Sequence, residues 1–475
     1  MKALKLENLF VAIHVLAPIT LGTITLNYLN DIYTVPYLAL TLVTIALLTL
    51  SSGALINQLS SKFLYLFGLL ISLGCWFKYS VYTIFPLTKL PEPIGNFILG
   101  SPDEGRVLWV ATTGISAILM AHLFKVFVYK KLDIHKSTNI SKLKPKASIA
   151  LATLCLMIAA ALINLKFNIL LFALKPDVQL PLKGNVIFFL LLTRGLPFLF
   201  IYFCLRKFSL LYISIGALVF TISSIGVLSR MGIFIYFLVV SLLVVHELSK
   251  WNALTAIKKV AALGIIFLIS TYLTVSFSTG AREYFFKQNQ VPSQDKKTAN
   301  EVSVDAIIQS SSKTDNFRIL KELALGRWIG IEGIMAVDAY SGKGLPLLID
   351  ALLEKSYSGN SFYSSISSVN LPSKYNENVF TTSVPGPIAF FYYTGNLAVI
   401  FIAIFFASLF YVLLEHILFL IFSNLTAPIS FLITVLTLDF YQFGISPIAF
   451  MKYLGFTIFS ILAFYFMQRK SPFLQ

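Results

Sequence analysis

A small set of charged residues carries whatever chemistry this sequence performs. Lys78, Arg194 and Lys452 interrupt long apolar runs, while Arg230, Arg282, Arg318 and Arg327 lie at or beyond the ends of such runs. Glu332 and Asp439 are the acidic candidates near them in the chain. Guanidinium groups grip oxyanions through paired N–H donors and ammonium groups act as compact point charges, so the cations suit a phosphate or pyrophosphate. Glu332 or Asp439 would serve as general base. A charge in hydrocarbon costs at least about 2.5–3.5 kcal/mol, so such residues normally face a cavity or a partner. No acid lies at the depth of Lys78, Arg194 and Lys452, so the three are expected to be unpaired and to act together on a multiply charged anion. The alternative for the two lysines is to extend outward to the interface. Thr193, Gly195 and Pro197 around Arg194 suggest a locally opened helix.

The elements that position these residues are membrane helices. The 475 residues are 57% hydrophobic and 12% charged, against about 25% charged in a soluble domain. Apolar runs of roughly 20 residues recur, the length at which an α-helix crosses about 30 Å of hydrocarbon. The alternation of a barrel strand is absent, and lipid leaves helices as the other way to satisfy the backbone. The fold expected is an all-α polytopic membrane protein of about twelve helices with one large, partly helical periplasmic loop. The spans read as 9–29, 36–56, 63–86, 107–128, 147–165, 186–205, 208–228, 231–248, 260–277, 388–414, 417–438 and 445–467. They form one integrated membrane domain, with helices one to nine in 1–277, the loop in 278–384 and helices ten to twelve in 385–475. The first run lacks a clear cleavage site and reads as a retained span.

Basic residues in short connections mark the cytoplasm. They concentrate at Lys130, Lys131, Lys136, Lys142, Lys144 and Lys146, then at Arg206-Lys207, Lys258-Lys259 and Arg469-Lys470. Both termini are therefore expected inside and the long loop outside. The net charge of +16 is this topogenic excess plus the intramembrane cations, and it argues against nucleic acid as a partner. Cys75, Cys155 and Cys204 all fall in apolar runs, and no histidine among His14, His122, His135, His246 and His416 lies in the loop. No metal site is expected there.

Within the loop, residues 287–315 are polar and read as a lid or linker. From Phe317 to about Tyr340 the pattern turns helical: Arg318 and Glu322 are four apart, and Arg327, Ile331, Ile334 and Asp338 form a stripe. A continuous helix would set Arg327 and Glu332 about 140° apart, so they share a site only if Gly330 and Gly333 break it. Tyr357, Phe362 and Tyr363 either stack on sugars or form ordinary turn and surface.

Two short motifs carry a resemblance. Ser229-Arg230-Met231-Gly232 makes a tight hairpin between two spans, and Val384-Pro-Gly-Pro precedes span ten with Gly395 beyond it. Their order resembles that of oligosaccharide repeat-unit polymerases, the Wzy-type O-antigen polymerases. The resemblance implies a glycosyltransferase of the bacterial inner membrane. It would join undecaprenyl-pyrophosphate-linked repeat units into O-antigen, capsular polysaccharide or exopolysaccharide at the periplasmic face. It also implies catalytic Arg230, Arg282, Arg327 and Glu332, with Lys78, Arg194, Lys452, Arg318 and Asp439 binding substrate. Membrane lipid and a chain-length regulator protein would be the partners, with no cofactor or metal. The alternatives are an O-antigen ligase, for which the loop lacks a histidine, and a lipid-linked oligosaccharide flippase or transporter. None of Arg282, Arg318 and Arg327 is followed by the Gly of the Arg-x10-Gly motif of some polymerases.

Overall fold

The computed structural model describes residues 6–56, 61–85, 90, 92–128, 147–171, 176–181, 184–205, 208–290, 328–354, 361–367, 384–422, 425–444 and 447–470. The principal helices are α1 (Leu6–Leu26), α2 (Asp31–Ile56), α3 (Lys62–Ile84), α4 (Asp103–Val128), α5 (Ala147–Phe167) and α6 (Gly184–Cys204). They continue as α7 (Leu210–Gly226), α8 (Met231–Glu247), α9 (Ala253–Gln290), α10 (Ile331–Ala339), α11 (Leu345–Leu352) and α12 (Phe362–Ile366). The chain then forms α13 (Gly386–Phe391), α14 (Leu397–Ile421), α15 (Thr426–Tyr441) and α16 (Pro447–Lys470). No strand occurs among the described residues. Among the described residues eight helices, α1 to α6 with α9 and α14, are long and apolar enough to cross a membrane. Helices α7, α8 and α15 are apolar but shorter, as is the Phe450–Phe459 part of α16. The protein is therefore an all-α membrane protein, with eight helices among the described residues that meet the length and apolarity of a span, against the twelve spans read from the sequence.

Several boundaries differ from the sequence reading: α9 runs Ala253–Gln290 against 260–277, so its end extends into the segment assigned to the loop, and the starts of spans ten and eleven move. Hydropathy places the start of span ten at 388, yet α14 begins at Leu397, because Gly395 adopts a left-handed conformation (φ 72°) that ends the preceding turn. The Asn396 side chain then accepts the Ala398 N–H at 2.8 Å and starts a new helix. Gly386–Phe391 form the short α13 instead, buried over its first five residues. Because α14 runs on to Ile421, α15 starts at Thr426 rather than 417.

The helices pack in two groups. One gathers α1, α2, α3, α4 and α14, the other α5 to α9, and α15 touches α3, α6 and α8 between them. Every residue of α15 except Thr426 and Asp439 is buried, as expected of a helix that is apolar all round. Two helices carry a π-turn, Leu73–Phe77 in α3 and Leu191–Gly195 in α6. Lys78 follows the first and Arg194 lies in the second, so the opened helix expected around Arg194 takes this form. Such bulges re-aim side chains and recur at functional sites.

Helix α10 comes from the long polar loop, yet Ile331 to Asp338 are all buried. Glycines admit it. A Cβ on Gly74, in the α3 π-turn, would sit 1.9 Å from the Ile329 carbonyl oxygen, and one on Gly330 would sit 2.5 Å from the Gly74 carbonyl carbon. On the other side of α10, a Cβ on Gly333 would meet the Pro385 oxygen at 2.4 Å. Gly74→Ala is therefore expected to lower the thermal midpoint in detergent, at about 1–3 kcal/mol for forced overpacking. Gly455, where an added methyl would meet nothing within 4 Å, is the control: Gly455→Ala should hold or raise the midpoint. Equal midpoints for Gly74→Ala and the unmodified chain would show that this backbone contact does not form.

Candidate functional site

Lys78 leaves the α3 π-turn pointing into the protein and is fully buried. Its Nζ lies 2.5 Å from Glu332 Oε1 on α10 and donates to the Trp328 carbonyl at 2.8 Å. The Tyr82 hydroxyl, one turn further along α3, donates to the same Glu332 oxygen at 2.5 Å. Burial pushes the Glu332 carboxyl above its usual range, against the opposing pull of Lys78 and the Tyr82 hydroxyl. On α15, the Tyr441 hydroxyl donates to the Ile329 carbonyl at 2.7 Å. The non-helical residues Trp328 to Gly330 are thus tied to α3 and α15 through their backbone.

The far end of α10 is held by a second cluster. Asp338 accepts Arg106 Nε at 2.6 Å and Nη2 at 2.7 Å, a fork geometry that fixes orientation as well as charge. The Tyr392 hydroxyl donates to Asp338 Oδ1 at 2.7 Å, and Lys343 Nζ donates to the Asp338 carbonyl. Burial and the bond to Asp338 both raise the Tyr392 phenol. Asp338 is buried while the Arg106 side chain is 52% exposed, so the cluster runs from the interior to the surface of α4.

Arg194 forms the third pair. Its Nη1 and Nη2 reach Asp439 Oδ2 and Oδ1 at 3.0 and 2.8 Å, and its guanidinium lies 4.2 Å from the Tyr453 ring centroid on α16. Both side chains remain about a quarter to a fifth exposed (24% and 21%). Asp439 is the one interior position of α15 that is not buried, because it turns toward α6.

The expectation that the intramembrane cations lack acidic partners is therefore corrected. Glu332 is carried into the bundle from the polar loop to neutralise Lys78, and Asp439 neutralises Arg194. Lys452 is exposed on α16 and does not join either pair, so the three cations do not form one anion site. Of the helix expected from Phe317 to Tyr340, residues 317–327 lie outside the described residues, Trp328 to Gly330 are non-helical, and Ile331–Ala339 are helical. Arg318 and Arg327 lie outside the described residues, as do Glu322 and Tyr357. Tyr363 is buried, which removes it from an exposed sugar platform.

The structure does bring Arg230 and Arg282 together. Arg282, on α9, donates Nε and Nη2 to the Leu228 carbonyl at 2.8 and 2.5 Å, in the α7–α8 turn. Leu228 adopts a left-handed conformation there (φ 55°). Arg230, in the same turn, donates Nη2 to Thr279 Oγ1 on α9 at 2.7 Å. The Trp328 ring packs edge-on against Phe234, one turn along α8, with centroids 5.9 Å apart. The arginine turn and the buried lysine pair therefore adjoin through Trp328.

Sequence reasoning missed Arg106 and Tyr392, whose roles depend on a helix lying between them. Arg106 sits beside Asp103 and Glu104 at the start of α4, which reads as a solvated helix end. No group of His, Cys, Asp or Glu that would hold a metal is found among the described residues. Comparison with family models, curated proteins and solved structures finds no match to the chain.

Removing one partner of a buried ion pair strands the other charge, at about 3–5 kcal/mol. Lys78→Met and Glu332→Met should each lower the thermal midpoint sharply, and Lys78→Met/Glu332→Met should recover much of the loss. A double variant as unstable as the sum of the singles would show that the two residues act independently.

Proposed function

We propose that this protein polymerises lipid-linked oligosaccharide repeat units at the outer face of a bacterial inner membrane. In this reading the twelve apolar segments cross the bilayer, both termini are cytoplasmic, and the long loop is periplasmic. The observation that carries it is the convergence of Arg230 and Arg282 on one turn, against the segment where the loop enters the bundle. Positive groups fixed at the membrane rim suit an anionic headgroup, and a loop anchored beside them suits an extended glycan reaching in from outside.

The chemistry has few requirements. A sugar hydroxyl of the incoming unit attacks the anomeric carbon of the growing chain, the bond from that carbon to the pyrophosphate oxygen breaks, and the hydroxyl proton leaves with the departing diphosphate. The departing diphosphate gathers negative charge, which the rim arginines stabilise. Glu332 and Asp439 are committed to Lys78 and Arg194, so in this reading they position the loop and α15 rather than take the hydroxyl proton. Polyprenyl-pyrophosphate-linked repeat units are the substrate, and a chain-length regulator is the partner consistent with such an activity.

Deletion of the gene should leave surface polysaccharide as single repeat units on a gel, and the intact gene should restore long chains. Arg230→Ala should shorten chains by at least tenfold in modal length at unchanged membrane abundance. Arg282→Ala is expected to do so too, with some loss of stability because it also holds the Leu228 carbonyl. Long chains of normal abundance in the deletion strain would refute the assignment. Complete loss of polysaccharide, rather than single units, would point to a flippase or ligase.

A further inference from the structure

Helix α3 begins at a carboxylate. Glu415, on α14, accepts the Lys62 N–H through Oε1 at 2.9 Å and the Phe63 N–H through Oε2 at 3.3 Å, and Oε2 also accepts the Ser61 hydroxyl. The carboxylate is buried and satisfies backbone donors that a helix start leaves open. Two ammonium groups flank it without pairing to it. Lys62 Nζ lies over the Phe419 ring, 5.2 Å from its centroid, and Lys125 of α4 forms no hydrogen bond or ion pair among the described residues. Both lie within electrostatic reach of Glu415. His122, one turn before Lys125, is 1% exposed with both ring nitrogens unbonded.

A buried polar group without a partner is costly, and a part-buried ammonium without a counter-charge is more so. Lysines at a membrane surface avoid the cost by reaching water. Lys250 does so just past the end of α8, where its side chain is 57% exposed and pairs with Glu247. Lys62 and Lys125 stay part-buried instead. Two cations against one committed carboxylate leave the corner between α3, α4 and α14 with an excess positive charge and unused donors.

The position of this corner decides what reaches it. Lys62 and Lys78 are about 24 Å apart along α3 at 1.5 Å of rise per residue, most of the roughly 30 Å hydrocarbon core. The corner therefore lies at the membrane surface opposite the Lys78–Glu332 pair and shares no ligand with it. Phe124 and Phe127 on α4, with Ile417 and Leu420 on α14, are exposed near the same helix ends, where acyl chains cover them. A phosphate carried by a lipid arrives at this depth with its tails along those faces. Basic recesses between membrane helices dock such headgroups.

We infer that this corner binds the phosphate of an anionic phospholipid between Lys62 and Lys125, with His122 as a neutral donor behind them. The lipid supplies the counter-charge that the chain withholds and ties α3, α4 and α14 together at that surface. The site stands independently of the polymerase reading, which rests on the opposite end of the bundle.

Native mass spectrometry and thermal melting of the purified full-length protein test it, with phosphatidylglycerol, phosphatidylethanolamine and inorganic phosphate as probes. Phosphatidylglycerol should be retained at least tenfold better than phosphatidylethanolamine, and it alone should raise the thermal midpoint. Lys62→Gln/Lys125→Gln should bring the two lipids to within twofold of each other, while Lys250→Gln should leave the preference intact. Should the double variant not fold, Lys125→Gln carries the test, because Lys125 has no bond within the protein to lose. It should cut the preference at least threefold, and Lys125→Arg should keep it. Equal retention of the two lipids, or a preference that neither the double variant nor Lys125→Gln moves, would overturn the inference. So would a midpoint raised as far by inorganic phosphate as by phosphatidylglycerol, since the corner would then hold a free anion.

Discussion

A lysine with no solvent exposure is the constraint from which the architecture follows. Isolated, the Lys78 ammonium in hydrocarbon would be strongly unfavourable, and the protein answers by bringing in a carboxylate, a phenol and a backbone carbonyl. The carboxylate belongs to a loop, so the loop must enter the bundle. Its entry demands backbone-to-backbone contact, which Gly74 and Gly330 permit. Once inside, α10 brings a second acid, and Arg106 and Tyr392 close over it. Each step is the consequence of the one before. The apparent external lid is therefore partly an internal element.

The helical segments were legible in the sequence because an apolar run of sufficient length leaves the backbone little choice. The Arg194 region was legible as well, since Thr193, Gly195 and Pro197 are an unfavourable setting for a regular helix. What composition could not reveal was pairing. Glu332 stands among glycines and aliphatic residues, and nothing in its neighbourhood points to a lysine some 250 positions earlier. Asp439 could be named as the nearest acid in sequence, but only tertiary packing turns it toward α6. The start of α14 was misplaced for a local reason. The apolar run continues unbroken in hydropathy from 388, while the left-handed Gly395 divides it in geometry.

The arginine turn belongs to the second group of helices, whereas the lysine pair belongs to the first. Helix α15 and the segment Trp328–Gly330 connect them. Tyr441 holds that segment from α15, Lys78 holds it from α3, and Trp328 rests on α8. A displacement of this short segment would be felt by both groups. Its hydrogen bonds use carbonyls rather than side chains, while Gly330 and Trp328 are constrained by their contacts with Gly74 and Phe234.

The separation in sequence of each ion pair has a bearing on how the protein is made. Lys78 and Arg194 leave the ribosome well before Glu332 and Asp439, which lie about 250 residues further on in each case. At about 5–20 residues per second, each cation waits some 12–50 s for its counter-charge. During that interval neither helix can settle at its final depth without meeting the penalty of a naked charge. The early helices must linger near the headgroups or beside the insertion machinery until the C-terminal third arrives, so nascent chains truncated before α10 would be prime substrates for membrane proteolysis.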